Sequence, residues 1–286
     1  MMIRNNPYQQ KDGPLVGLVA TPIGNIEDIT LRAINFLKDA DIVACEDTRN
    51  TGLLLSRLNI KPKKLISLYA QTELKESKRI VAELKKNKWK LAYCSDAGMP
   101  GISDPGALLV QTCYEENVPV TILPGPTASL SALVISGIDS ADFSFYGFLP
   151  TKPGQIKSFL VDLKNRKESL IFYESPKRLL KTLAIMKEVF GDDRIASVIR
   201  ELTKIHEEVL TGSLKELNEN PIEEKGECII IVKGSSDDTS LSDEDIIKLL
   251  KKGLKEGKSL SSLSKDIAND YKLSKNAVYK LGLTIK

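Results

Sequence analysis

Residues 90–106 read KLAYCSDAGMPGISDPG, an apolar run that passes straight into twelve positions holding three glycines, two prolines and two aspartates. Leu91, Ala92, Tyr93 and Cys94 read as a strand. Glycine frees the backbone for positive φ and proline fixes it, so residues 95–106 specify a shape that neither a helix nor a strand holds. A strand, such a loop, and then an amphipathic stretch from Pro105 to Asn117 make one βα unit of a parallel sheet.

The same unit recurs through the first half of the chain. Strands are expected at LVGLVA (15–20), DIVACE (41–46), KLISLY (64–69), KLAYCS (90–95) and PVTILP (119–124). Helices are expected from Asp28, over Thr48–Leu58, over Glu73–Asn87, over Pro105–Asn117 and from Pro126 to Ser136. Pro105 and Pro126 fit the first helical position, where a missing N–H costs nothing.

After Asp139 the rhythm changes. DFSFYGFLP (142–150), SLIFYES (169–175), RIASVIREL (194–202), HEEVLTG (206–212) and ECIIIVKG (227–234) read as strands, with helices from Gly154 and over Pro176–Phe190. The last three strands follow one another with only the short SLKELNEN between them, which predicts a mixed sheet with antiparallel pairs. A polar linker, GSSDDTS (234–240), leads to three helical stretches, about Ser242–Glu256, Ser259–Tyr271 and Ser274 onward. The expected fold class is therefore α/β: a parallel-sheet domain (14–139), a mixed-sheet domain (140–234) and a small helical, helix-turn-helix-like segment (241–286).

Composition narrows the function. The 286 residues carry a net charge of +3, with ten lysines against six carboxylates after residue 240, so the basic excess belongs to the tail. That asymmetry fits a nucleic-acid or acidic partner, or a solvated lysine face. No apolar stretch approaches the roughly 20 residues of a membrane span, and the polar start of the chain points to a cytosolic protein. Four separated cysteines without a CxxC, and the single His206, argue against a zinc site.

In a parallel sheet the ligand sits beyond the carboxyl ends of the strands. Four loops leave those ends: TPIGN (21–25), EDTRNT (46–51), SDAGMPGISDPG (95–106) and LPGPTAS (123–129). Neither a G-x-G-x-x-G after the first strand nor a G-x-x-x-x-G-K-[ST] is present, and the loops hold few cations. They suit an adenine-like ring better than a triphosphate.

Together ATPIGNIEDIT, ACEDTRNTGLLL, SDAGMPGISDPG, LPGPTAS, GFLP, IFYES and RELTK, in this order and spacing, resemble the ribosomal RNA small subunit methyltransferase I family, a branch of the tetrapyrrole methylase class. The resemblance covers residues 14–234. It implies S-adenosylmethionine as methyl donor, a homodimer, and 2′-O-methylation of a cytidine ribose, cytidine 1402, in the decoding region of 16S ribosomal RNA within the small subunit. Residue by residue, it implies that Ser95, Asp96, Gly98 and Met99, with Thr127 and Ala128, hold the donor. Members often carry a histidine-rich stretch with Asn-Glu after the third strand; here the run is LYAQTE (68–73), and Met99, Gly101 and Ser103 also depart from the common loop sequence.

A ribose hydroxyl is a weak nucleophile, so a group that takes or polarises its proton is expected near the donor. Glu46 and Arg49 are the catalytic candidates, although EDTR reads equally as a helix cap with a paired arginine. Lys177, Arg178, Arg200 and Lys204 would meet RNA phosphates if their strands end at the cleft, or else lie on solvated faces. In the tail, Lys272, Lys275 and Lys280 would stud a second helix that either binds RNA or caps the dimer. Two other readings stay open at this point: a tetrapyrrole methyltransferase of the same fold, and an RNA-binding protein without turnover.

Overall fold

A computed structural model describes residues 5–7, 13–102, 105–235, 243–271 and 274–285. The chain divides into two compact units, Met1–Val161 with Ser169–Lys233, and Asp162–Glu168 with Gly234–Lys286. Five strands, β1 (Leu15–Val19), β2 (Ile42–Cys45), β3 (Leu65–Ser67), β4 (Lys90–Cys94) and β5 (Val120–Leu123), build the first sheet of the larger unit in the order β3-β2-β4-β1-β5. Every neighbouring pair is parallel.

The unbroken apolar runs follow from burial on both faces. One face packs Val16, Ile42, Leu91 and Tyr93 against Ile80 and Leu84 of α3 (Glu73–Asn87) and Leu109 of α4 (Ala107–Glu115). On the other, Val19, Val43, Ala92 and Cys94 meet Ala33 and Leu37 of α1 (Leu31–Asp39) and Leu55 of α2 (Thr48–Arg57). All four cysteines are free and buried.

The second sheet runs β6 (Phe143–Phe148), β7 (Ser169–Glu174), β10 (Cys228–Val232), β8 (Ile195–Arg200), β9 (Glu208–Ser213). Only β6 and β7 are parallel; the other three pairings are antiparallel, as the closely spaced strands predict. Helix α5 (Ala128–Ile135), which leaves the first sheet, buries Ala132 and Leu133 on the second against Ile171, Ile199, Ile229 and Ile231. Helices α6 (Pro153–Leu163), α7 (Pro176–Phe190) and α8 (Leu214–Glu219) complete the connections, α8 opening on a Ser213–Glu216 capping box.

Two expectations about helix starts need correction. Pro105 and Pro126 each precede the cap residue, Gly106 for α4 and Thr127 for α5, and so stand outside the helices. Gly106 has φ of +132°, which no proline adopts, and its N–H is engaged by a side chain from elsewhere, which fixes the cap there. Pro176 does open α7 as its first residue.

In the smaller unit α9 (Asp243–Lys255), α10 (Leu260–Asp270) and α11 (Lys275–Leu283) pack around Ile246, Leu250, Leu263, Ile267 and Val278. Lys275 and Lys280 are exposed on α11. Lys272, Ser103 and linker residues 236–240 lie outside the described residues. Among the described residues, no helix is long and apolar enough to cross a membrane.

Candidate active site

Because all five strands of the first sheet run the same way, the loops after them gather at one edge. There they are knitted mainly through backbone. Thr21 and Gly98 exchange N–H to carbonyl bonds of 2.9 and 3.0 Å, joining TPIGN to the SDAG loop. The Thr21 hydroxyl donates to the Ser95 carbonyl at 3.2 Å, and the Ser95 hydroxyl donates to the Gly98 carbonyl at 2.9 Å. Gly98 has φ of +80°, and a Cβ there would stand 3.2 Å from Ile23 and 3.7 Å from the Pro126 carbonyl, so three loops converge on a position that favours glycine.

The fourth loop is tied by a side chain. Asp96 accepts the Asp47 N–H at 3.2 Å through one carboxylate oxygen and the Asn50 amide at 2.9 Å through the other. Among the described residues it forms no ion pair. Asp47 itself is the N-cap of α2, accepting the Arg49 N–H at 2.8 Å and pairing with the Arg49 guanidinium at 2.6 Å. That arginine contact draws the Asp47 carboxyl down from its ordinary 3.8 to about 2. The cap therefore contributes fully above pH 3.8 and is lost as pH falls toward about 2. Arg49→Ala is expected to return the Asp47 titration toward 3.8, read by carbonyl NMR, while Asp47→Asn leaves no such titration.

The far end of the SDAG loop is held by Glu73, the first residue of α3. One oxygen of its buried carboxylate accepts the N–H groups of Gly106 (2.8 Å), Leu108 (2.9 Å) and Leu109 (3.1 Å). These are otherwise unpaired donors of the first turn of α4, and the negative charge sits at the positive end of the helix dipole. The acceptor for these donors thus comes from a residue 33 positions before the N-cap Gly106.

Three of these loops, TPIGN, SDAG and PGPTA, form one wall of a cleft of about 440 Å³, within the range of small-molecule sites. Asp96, Gly98, Met99, Thr127 and Ala128 line it, with Ile23 and Ile102. Ser95 is buried behind them, where its hydroxyl fixes Gly98. The opposing wall comes from the second sheet: Phe148, Tyr173, Leu202 and Cys228 among others. Among the described residues, the charged ones in the lining are Asp96, Glu174 and Glu227, and none is a cation.

The structure separates the remaining candidates from this cleft. Glu46 and Arg49 are not in its lining, and the Arg49 side chain is 88% exposed on its Asp47 pair, so EDTR is a capped helix start. Arg178 is bound to buried Glu174 at 2.6 Å and donates to the carbonyls of Leu149 and Pro150. Glu174 also accepts the Ser175 N–H and the Thr182 hydroxyl. Arg200, buried, pairs with Glu208 and Glu223 at 3.0 and 3.2 Å. Lys204 binds Glu201 and Glu227 at 2.9 and 3.2 Å. Burial works to lower the Lys204 pKa, but the two carboxylates together raise it above the ordinary lysine value. These three cations hold loops at the second sheet rather than presenting free charge; Lys177 is exposed.

The Lys204 network supports a strained turn. Glu201 and Thr203 have φ of +51° and +65°, and the Thr203 hydroxyl accepts the Asn25 N–H at 3.2 Å. A Cβ on Gly24 would come within 2.5 Å of Lys204 and 2.6 Å of Thr203, so only glycine lets RELTK close on TPIGN. Phe148, Tyr173, Leu202 and Cys228 are among the lining residues to which the sequence-based reading assigned no role, and Glu73 holds the site from outside the lining. GFLP and IFYES carried two of them, but either motif alone is a weak signal.

Comparison with known proteins agrees with this architecture. Residues 16–218 match the family model of tetrapyrrole (corrin/porphyrin) methylases. The chain is 38% identical over 287 residues to ribosomal RNA small subunit methyltransferase I of Streptococcus pyogenes serotype M1, covering 98% of both chains. It is 40% identical over 272 residues to the protein of that name from Haemophilus influenzae, covering 93% of this chain and 95% of the other. Among solved structures, a diphthine synthase (TM-score 0.59, 14% identity, 77% of this chain and 90% of that one) and a uroporphyrin-III-C-methyltransferase from Thermus thermophilus (0.52, 19%, 77% and 94%) share the fold. With two α/β sheets, a cleft built on strand-end loops and relatives this close over nearly their whole length, the chain belongs to the ribosomal RNA small subunit methyltransferase I family of tetrapyrrole methylases.

Proposed function

We propose that this protein transfers a methyl group from S-adenosylmethionine to the ribose 2′ hydroxyl of cytidine 1402 in the decoding region of 16S ribosomal RNA. The observation that carries the donor assignment is the charge of the cleft. Asp96 is a carboxylate without an ion-pair partner among the described residues, on a wall otherwise built of backbone and apolar side chains. Such a wall favours a cationic sulfonium with a flat adenine and disfavours a polyphosphate. The relatives named above direct the reaction to ribosomal RNA.

The donor supplies an activated methyl; this chain's residues supply position. Gly98 and the Thr127–Ala128 turn offer backbone approach, Met99 and Ile102 offer apolar contact, and Ser95 keeps Gly98 in place. In-line placement of acceptor and methyl is worth roughly 7–11 kcal/mol of barrier in well-oriented reactions. No proton step is routed through Glu46 or Arg49, which stand outside the lining.

The homodimer rests on exposed apolar residues of the outer face of α5: Leu130 (43%), Val134 (75%) and Ile135 (44%). We place the protein in the cytosol, read the two sheets as separate domains, and read α11, with Lys275 and Lys280, as an RNA-binding appendage.

The test is a ribose-methylation map of ribosomal RNA from cells lacking the protein, combined with labelled donor and pure small subunits. Loss of one 2′-O-methyl group in the decoding region, regained with enzyme, is expected. Label appearing only in uroporphyrinogen would overturn the assignment. In the same assay Asp96→Ala is expected to weaken donor binding about 10-fold or more, measured by calorimetry, since a charge-assisted contact is worth roughly 1.5–3 kcal/mol. A fall in melting temperature with unchanged donor affinity would make Asp96 a loop fastener only.

A further inference from the structure

The wall facing the donor loops ends in an aromatic residue turned toward the cleft by an irregularity in its strand. In β6 the register against β7 runs Phe145 to Ile171, Gly147 to Phe172 and Phe148 to Tyr173, so Tyr146 is an extra residue. Strict alternation would place Phe148 on the same face as Tyr146, which stacks on Phe172 at 5.5 Å and meets Phe159 edge-on at 5.6 Å. The bulge, with Gly147 at φ of +65°, moves Phe148 to the opposite face. There it joins Phe145, both rings meeting Tyr173 edge-on at 5.5 and 4.9 Å.

The ring so placed is not used for packing. Phe148 is 64% exposed while lining the cleft, with Tyr173 behind it as support. An aromatic face held in this way beside a cleft of about 440 Å³, in which no lining residue among those described is a cation, recognises a flat ring rather than a phosphate. The donor loops lie on the other wall, so the ring that meets Phe148 belongs to the acceptor.

We propose that Phe148, re-aimed by the Gly147 bulge and backed by Tyr173, is the stacking platform for the base of the nucleotide being methylated. This rests on the RNA-methyltransferase reading above and adds how the acceptor is gripped. A base inside a helix has both faces covered by its neighbours, so the platform selects a nucleotide that is extruded or unpaired. Stacking reads the π-face common to all bases; the platform therefore selects conformation, and the choice of cytidine is made by other contacts.

Two measurements test this on the full-length protein. Methylation kinetics use small ribosomal subunits from cells lacking the modification. Phe148→Ala is expected to raise KM for the subunits about 10- to 100-fold, with donor affinity by calorimetry unchanged. Phe148→Leu, apolar but without a planar face, should resemble it, whereas Phe148→Trp and Phe148→Tyr should restore KM. The second probe is a short single-stranded RNA carrying fluorescent pyrrolocytidine at the target position. Its emission should be quenched by the wild type and by Phe148→Trp and left unchanged by Phe148→Leu.

Each contrary result is distinct. Weakened donor affinity with an unchanged KM for subunits would give the ring to the donor's adenine. Conversion to a monomer on gel filtration would give it to a subunit contact, and unchanged constants would leave it without a role. Wild-type protein that quenches the probe yet methylates no RNA would remove the proposed reaction and keep the platform. Methylation without quenching would do the reverse.

Discussion

Replacing Glu73 by alanine is expected to destabilise the protein by about 3 kcal/mol, because three N–H groups at the start of α4 lose their shared acceptor. Gly106 and Leu109 present their N–H groups in a buried setting, where water does not replace the carboxylate. At about 2–4 °C per kcal/mol for a domain of this size, differential scanning calorimetry should show a drop of roughly 6–12 °C. Glu73→Gln keeps an acceptor oxygen and loses only the charge facing the helix dipole, so its cost should be nearer 1 kcal/mol. The pair also has a functional readout. SDAGMPGISDPG is anchored at its start by the Thr21–Gly98 exchange and at its end by Glu73, so Glu73→Ala should raise the dissociation constant for S-adenosylmethionine as well. Equal melting temperatures for the alanine and glutamine variants would contradict the capping role.

Glu174→Ala should cost more, about 3–5 kcal/mol in denaturant unfolding, since removing one partner of a buried ion pair leaves the other uncompensated. The side chain of Glu174 is fully buried and carries four contacts: two from the Arg178 guanidinium, one from the Ser175 N–H and one from the Thr182 hydroxyl. Arg178→Ala exposes the complementary fault, a buried carboxylate without its cation. The double variant Glu174→Ala/Arg178→Ala should be less destabilised than the sum of the singles, because each single mutant bears a desolvation penalty that the double removes. Strict additivity would mean that the two groups act independently, against the 2.6 Å geometry. The turn that Glu174 fixes begins α7 and lines the cleft through Ser175 and Pro176, so catalytic loss should accompany the stability loss.

These two carboxylates show where the sequence stopped being readable. Strands announced themselves because β2 and β4 are buried on both faces and so leave unbroken apolar runs such as IVAC and LAYC. The mixed second sheet followed from strands too close in sequence to admit crossover helices. Glu73 read as the polar first residue of its own helix and not as the cap of another, because its partners lie 33 to 36 positions ahead and nothing local marks them. Arg200 looked like a free cation for phosphate because its partners Glu208 and Glu223 sit on a neighbouring strand and a later loop, whereas the Glu174–Arg178 spacing of four residues is a local mark of that pair. Phe148 was hidden by its own strand, since period-two alternation across FSFYGF gives the wrong face unless the bulge at Gly147 is known. The Gly/Pro loop was legible as an irregular wall at the sheet edge because its information lies in backbone conformation, which glycine and proline advertise directly.

The exchange between Thr21 and Gly98 has an evolutionary corollary. A wall assembled from main-chain bonds is indifferent to most side chains it carries, so sequence is free to drift there while the glycine and the bonds persist. The opposing wall is made of side chains, Phe148, Tyr173 and Leu202, and each substitution there reshapes what fits. Substitutions on the side-chain wall are therefore expected to change what the cleft admits, and those on the main-chain wall to leave its outline as it is.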